Sequence, residues 1–222
     1  MKPLYLCAGM PRSGSTWLYN VVRLLCERHY DKVHSCYVYH YQRDWLGWAD
    51  AAVIKVHEPV PILFHPDARV KQVVLTCRRD LRDVAASHIL KGWQTEANVV
   101  GILHTIVAWY KFYEAKSAFE FEYESLLIDP VSLIKDIGVN LGKPSNWQGG
   151  FGMLDTEEAR EVAVEVSQLS NTSSATYDKT NLLHRNHSTR RVVGYYKEVL
   201  SPALIKNIEA TFGDWLRKWG YM

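Results

Sequence analysis

The chain has 222 residues, of which 47% are hydrophobic, and it carries 26 Lys and Arg against 24 Asp and Glu, for a formal net charge of +2. This length fits a single domain over residues 1–222, and the balanced charge excludes a global field that would attract nucleic acid or an anionic membrane. We therefore expect any anion-binding site to be local, and neither nucleic acid nor membrane among the partners.

Cysteine usage and apolar runs bear on the compartment. The four cysteines form no CxxC pair, no zinc spacing and no dense disulfide framework, which favours a reduced, cytoplasmic setting. The apolar run at 3–10 is too short for a secretory signal and leads directly into a glycine motif. Since no run of about 18 apolar residues free of charge occurs, we expect no membrane span.

The first half of the chain alternates predicted strands and helices. Short apolar or β-branched runs predict strands at 3–8, 51–56 and 71–77, and a further run at 118–123 alternates apolar and acidic residues. Helical spacing of apolar residues predicts helices at 14–29, 81–91 and 97–116. This order predicts an α/β fold, three-layered and P-loop-like, with a central parallel sheet flanked by helices. Ligands of such folds bind at the carboxyl ends of the strands.

The chain beyond Pro130 has a mainly helical pattern. Helices are predicted at 131–141, 156–169 and 202–219, with a glycine pair at 149–150 before the middle one. Residues 170–191 are rich in Ser, Thr and Asn and end in a basic cluster. Because this connection is longer than an ordinary loop, we interpret it as a flexible lid.

A glycine motif follows the first predicted strand and opens the first predicted helix. Residues 9–16 read GMPRSGST. Backbone N–H groups and the positive end of the helix dipole meet at such a turn, so it is predicted to bind phosphate, with the hydroxyls of Ser15 and Thr16 as further donors. A nucleoside-triphosphate P-loop has lysine directly after the second glycine, where this chain has Ser15. The cation lies upstream instead, at Arg12.

Lys55 and His57 stand at the end of the 51–56 strand. They supply a cation and a base, whereas an ATP-dependent phosphotransferase needs an acidic residue that holds a metal ion. This pair suggests group transfer that requires no metal. A P-loop metabolite or nucleotide kinase is the alternative, and a non-catalytic nucleotide-binding protein of the same fold is a second one.

Four segments resemble the sulfotransferase family that uses PAPS (3′-phosphoadenosine 5′-phosphosulfate), and they occur in the family's order. Residues 11–17 (PRSGSTW) resemble its 5′-phosphosulfate loop, PKSGTTW, and residues 79–87 (RDLRDVAAS) resemble its 3′-phosphate segment, RNPxDVxxS. Residues 54–57 (IKVH) resemble the strand end with the catalytic histidine, and 123–124 (YE) resemble a segment near the adenine. The match covers about the first 125 residues well, whereas 189–196 (TRRVVGYY) match the family's basic C-terminal loop only loosely.

The resemblance implies a cytosolic-type enzyme that transfers a sulfonate group from PAPS to a small-molecule acceptor and releases PAP (3′-phosphoadenosine 5′-phosphate). It implies His57 as the general base, with Lys55 and Arg12 stabilising the leaving phosphate. The implied donor-binding residues are Arg12, Ser13, Gly14, Ser15, Thr16, Trp17, Arg79, Ser87 and Tyr123, with Arg190 and Arg191 assigned loosely. Arg185 is a further candidate for the 3′-phosphate.

No sequence motif marks the acceptor side of the site, and only a concentration of aromatic residues indicates it. The candidates to line a pocket are Tyr37, Tyr39, Trp45, Trp48 and Trp93. Such a wall suits phenols, flat heterocycles and cationic amine or guanidinium groups about equally. The sequence therefore leaves open the acceptor, the choice between oxygen and nitrogen as the sulfonated atom, and whether the chain forms a homodimer.

Overall fold

The computed structural model describes residues 1–64, 67–142, 154–169, 177–183 and 192–222. The strands of these ranges are β1 (Lys2–Cys7), β2 (Val33–Tyr37), β3 (Ala51–Lys55), β4 (Val70–Arg78) and β5 (Ser117–Glu122). The α-helices are α1 (Ser15–His29), α2 (Leu81–Leu90), α3 (Val99–Glu114), α4 (Tyr123–Ile128), α5 (Pro130–Leu141), α6 (Thr156–Leu169), α7 (Tyr196–Val199) and α8 (Pro202–Lys218). Short 3₁₀ turns cover Val38–His40, Arg43–Gly47 and Pro61–Phe64.

The five strands form one parallel sheet in the order β2-β3-β1-β4-β5. At the end of the central strand, Cys7 lies opposite Lys55 of β3 and Leu75 of β4. The connections that leave β1, β3 and β4 therefore start from the same edge of the sheet. This confirms the predicted α/β fold and brings the segments with the predicted motifs together.

Helices cover both faces of this sheet. The helices α1, α5 and α6 pack on one face, in a core that includes Leu18, Val22 and Ile137. The helices α2, α3 and α8 build a second core around Leu103 and Trp215. Side-chain caps fix several helix starts, because Asp80, Asp129 and Ser201 accept hydrogen bonds from backbone N–H groups of α2, α5 and α8. Within the described ranges, no helix is both long and apolar enough to cross a membrane.

The strand β2 was not predicted from the sequence. Its residues, VHSCY, mix polar and apolar side chains and are mostly half-buried, because β2 lies at an edge of the sheet and pairs only with β3. The predicted lid at 170–191 is described only at 177–183. There the Tyr19 hydroxyl donates to the carbonyl of Thr180, and the Asn20 amide donates to that of Asn181, so this part is attached to α1.

Candidate active site

The glycine motif forms a tight loop between β1 and α1. The backbone N–H of Met10 donates to the carbonyl of Cys77 on β4, at 2.9 Å. Gly9 lies so close to the same residue that a Cβ atom there would be 2.1 Å from the Cys77 sulfur. Arg12 and Gly14 have positive φ angles, 66° and 86°, which turn the chain into α1. The loop thus leads into the N-terminus of α1, and the first N–H groups of a helix together with its dipole favour an anion.

The Ser13 side chain attaches this loop to β4. Its fully buried hydroxyl lies 2.6 Å from the carbonyl oxygen of Met10 and 3.1 Å from that of Cys77. Ser13 is among the predicted donor-binding residues, and the structure directs its side chain into the protein, where it joins the loop to β4. Its neighbours Ser15 and Thr16 do line the cavity above the loop.

Replacing Ser13 by Ala should therefore reduce stability. Two buried carbonyl oxygens would lose the Ser13 hydroxyl but keep a backbone N–H donor, so we expect the free energy of unfolding to fall by about 0.5–1.5 kcal/mol. Chemical denaturation measures this change. Ser15→Ala is the matched control and should leave the unfolding free energy nearly unchanged, and equal stability of Ser13→Ala and the wild type would contradict the assignment.

Lys55 enters the site from β3. Its Nζ donates to the Thr16 hydroxyl at 2.6 Å, so the cation that the glycine loop lacks after Gly14 comes from the neighbouring strand. The lysine is almost completely buried, and this burial is the main reason that its pKa falls to about 8. Its charge can therefore change within an accessible pH range.

His57 is held in one tautomer by the same loop. Its Nδ1 lies 2.7 Å from the carbonyl oxygen of Gly9. Because a carbonyl only accepts, Nδ1 carries the hydrogen and Nε2 keeps its lone pair. Burial, followed by the positive charge of Lys55, lowers the pKa of His57 to about 3. The ring is thus neutral near pH 7, as a general base must be.

Arg12 joins the glycine loop to α2. Its Nε donates to the Ser87 hydroxyl at 2.8 Å, and its guanidinium carbon lies 5.3 Å from the centre of the Trp93 ring. Ser87 is fully buried beneath this contact. Two segments that the sequence indicated separately, 11–17 and 79–87, therefore meet at one hydrogen bond.

Arg79 is a buried cation with an unused donor. It is 2% exposed and lies 4.0 Å from the Tyr123 ring centre. Its terminal nitrogens contact the carbonyl oxygens of Arg12 and Val192, both at 3.3 Å, and Asp83 at 3.5 Å. Its Nε has no hydrogen-bond partner among the described residues. Because Arg79 also lines the cavity, its guanidinium brings a positive charge to the wall beside the glycine loop, where an anionic group can be bound.

Asp83 organises the C-terminal segment beside Arg79, which sequence reasoning missed. Its fully buried carboxylate accepts the backbone N–H groups of Gly194 and Tyr196 at 2.9 and 3.0 Å. It therefore holds the chain that follows the predicted basic loop against α2. The candidates Arg185, Arg190 and Arg191 lie outside the described residues.

These groups surround a cavity of about 430 Å³. Most of the predicted site residues line it, namely Arg12, Gly14, Ser15, Thr16, Trp17, Tyr37, Lys55, His57, Arg79, Trp93 and Tyr123. The rest of the wall was not predicted and consists of Pro11, Asn20, Leu126, Leu127, Pro130, Ala163, Val166, Ser167 and Leu183. Most of these are ordinary helix residues, and no sequence motif distinguishes them from core positions.

Three predicted acceptor residues lie elsewhere. Trp45 is completely buried in the core with Ala52 and Ile54, because the 3₁₀ turn that carries it folds onto the sheet. Trp48 is half exposed and packs against the edge of His34. Tyr39 is 76% exposed and packs beside Tyr37, but it is not among the residues that line the cavity.

Comparisons with known proteins identify the family and the fold of this chain. The family model described as "Sulfotransferase domain" matches residues 3–220. The structure of mouse sulfotransferase SULT7A1 complexed with PAP is similar, with a TM-score of 0.66 and 17% identity over 97% of this chain and 85% of that one. The structure of retinol dehydratase in a complex with retinol and PAP has a TM-score of 0.62 and 17% identity, over 97% of this chain and 82% of that one. The structure of its complex with androsterone and PAP has a TM-score of 0.64 and 16% identity, over 97% of this chain and 81% of that one.

At these identities the structural likeness shows the fold alone. A comparison with curated protein sequences gives no match.

Proposed function

This chain belongs to the sulfotransferase family, and on that basis we propose that it transfers a sulfonate group from PAPS to a hydroxyl or amine of a small molecule and releases PAP. The observation that carries the proposal is the meeting of a neutral histidine and two cations at one glycine loop. His57 contacts Gly9, Lys55 contacts Thr16, and Arg12 belongs to the loop itself. The PAP bound by the similar structures supports the same donor here.

The donor's two ends have separate partners in this proposal. The loop and the start of α1 bind the 5′-phosphosulfate, whereas Arg79 and Ser87 bind the 3′-phosphate. The position of Arg79 in the cavity wall, with its guanidinium against the carbonyl of Arg12 in the loop, supports this assignment. Trp17 and Tyr123 lie in the cavity wall and offer aromatic surfaces for the adenine.

The reaction is an in-line displacement at sulfur. The acceptor oxygen or nitrogen forms a bond to sulfur while Nε2 of His57 takes the acceptor's proton. The bond from sulfur to the 5′-phosphate oxygen breaks, and its electron pair remains on that oxygen as PAP. Lys55 and Arg12 stabilise the negative charge that develops there. These residues position the reactants and supply the base, so we propose that no metal ion is required.

The proposal also covers the class of acceptor and the cellular location. The cavity volume is that of a small-molecule site, and the retinol and androsterone bound by retinol dehydratase are small molecules too. We therefore propose a small metabolite as acceptor and the cytoplasm as location. The kinase alternative is not favoured, because the family match and the position of Lys55 on β3 both point to sulfonate transfer.

Donor binding should weaken at alkaline pH. Lys55 is protonated below its pKa of about 8, so its attraction for the phosphate is present below that pH and lost above it. Bound phosphate favours the charged lysine and moves the midpoint upward. Calorimetric titration with PAP across the neutral and alkaline range measures this. In Lys55→Met we expect weaker binding without this alkaline decrease, and the same decrease in both proteins would contradict the role of Lys55.

Transfer itself is tested with sulfur-labelled PAPS and a panel of hydroxyl and amine acceptors. We expect label to move to an acceptor, with an equal amount of PAP formed. Tight PAP binding without transfer to any member of a broad panel would support the non-catalytic binding protein instead.

A further inference from the structure

Glu58 is a carboxylate next to His57 that has no cationic partner among the described residues. Its Oε2 accepts a hydrogen bond from the Tyr37 hydroxyl at 3.2 Å, whereas its Oε1 is buried without a hydrogen-bond partner. Within the described ranges, no lysine, arginine or histidine forms an ion pair with it. A partly buried carboxylate without a counter-charge favours the approach of a cation.

Two tyrosine rings, Tyr37 and Tyr39, lie on the side of this carboxylate. Tyr37 and Tyr39 pack edge to face with ring centres 5.2 Å apart, and the interaction with Glu58 raises the pKa of Tyr39. The faces of such rings attract cations, and aromatic groups combined in this way are typical of sites for alkylammonium groups.

The backbone at Glu58 is held in place. The Tyr113 hydroxyl donates to the Glu58 carbonyl at 2.7 Å and accepts from the Val60 N–H at 3.3 Å. Tyr113 is itself completely buried. The backbone of Glu58 therefore has a fixed position relative to the preceding residue, the proposed base His57.

The negative charge lies on the opposite side of His57 from the donor site. Because β3 lies between β1 and β2, the segment after β3 has the glycine loop on one side and Tyr37 on the other. His57 bonds to the loop, while Glu58 bonds to Tyr37. The ring centres of Tyr37 and His57 are 6.1 Å apart, and both residues line the cavity. A short acceptor can therefore reach both His57 and Tyr37.

We propose that Glu58, Tyr37 and Tyr39 bind a positively charged group of the acceptor, so that the preferred acceptors are small alcohols or amines carrying an ammonium group. This inference rests on the proposed function, because a bound cationic molecule is an acceptor only if the protein transfers a sulfonate group to it. Among the three acceptor classes that the aromatic wall alone leaves open, the uncompensated carboxylate selects the cationic one.

A pair of isosteric alcohols tests this inference. Choline and 3,3-dimethylbutan-1-ol have the same shape and hydroxyl and differ in the charge of the quaternary centre. We expect the protein saturated with PAP to bind choline about tenfold more tightly than the neutral alcohol, as measured by calorimetry. In Glu58→Gln and in Tyr39→Leu, the ratio of choline affinity to the affinity for the neutral alcohol should fall towards one, while PAP affinity stays unchanged.

The matched control is Trp48→Leu, which removes a half-exposed aromatic ring of the same segment that packs against His34 and not against Glu58. Its choline preference should equal that of the wild type. Equal affinity for the two alcohols, no saturable binding of either, or an unchanged ratio in Glu58→Gln would overturn the inference. If the wild-type protein did not bind PAP, the proposed function would be refuted instead. Failure of this inference and failure of the proposed function are therefore distinguishable.

Discussion

Replacing His57 by Asn is expected to lower turnover by about 10²- to 10⁴-fold, the usual contribution of a general base, while PAP affinity stays close to that of the wild type. The asparagine amide can still donate to the carbonyl of Gly9, as Nδ1 does now at 2.7 Å. The substitution therefore keeps the contact that fixes the segment and removes the lone pair of Nε2, the atom proposed to accept the acceptor's proton.

Steady-state kinetics with PAPS and an active acceptor measures the change in turnover, and calorimetry measures PAP affinity. His29→Asn serves as control, because this histidine lies at the end of α1 and pairs with Glu158 at the surface. It should leave both quantities unchanged. If His57→Asn retained turnover near the wild-type rate, another group would have to be the base.

Replacing Arg79 by Ala is expected to weaken PAP binding by roughly 30- to 1000-fold, in line with losing one partner of a buried, charge-assisted contact. Affinity for ADP, which lacks the 3′-phosphate, should change far less. The selectivity for PAP over ADP is thus the quantity that identifies this arginine as the 3′-phosphate ligand.

Stability must be followed in the same experiment, since Arg79 is buried and contacts Asp83 and Val192. Arg78→Ala is the matched control. That neighbouring arginine pairs with Glu120 and packs on Trp219, away from the cavity. We expect it to lower the denaturation midpoint while the ratio of PAP to ADP affinity stays constant. A ratio that falls equally in both variants would show that the loss in Arg79→Ala reflects only general destabilisation.

The donor side of the site could be predicted from sequence because its determinants are local. A glycine turn between a strand and a helix requires particular backbone angles, which Gly14 adopts at φ 86°. The ends of parallel strands meet at one edge of a sheet, so Lys55 and His57 were expected near the loop, and the structure places them there. The first expectation depends on a short glycine motif, and the second depends on the parallel order of the strands.

The acceptor side depends on contacts that no local pattern encodes. The half-polar sequence of β2 reflects its edge position, which is set by the rest of the sheet. Whether Trp45 enters the core or the cavity depends on how its 3₁₀ turn packs on β3. Ser13 could equally have faced the cavity, and the carbonyl of Cys77, 64 residues away, helps to hold it inside. Glu58 carries no motif and is recognised only by its contact with Tyr37.

Calorimetric titration of the wild-type protein with PAP, ADP and ATP, each with and without Mg²⁺, tests the central claim most directly. The donor-site geometry predicts tight PAP binding that does not depend on Mg²⁺, with weaker binding of both ADP and ATP. A preference for ATP together with Mg²⁺ would contradict the assignment of this cavity as a PAPS site and would restore the kinase alternative.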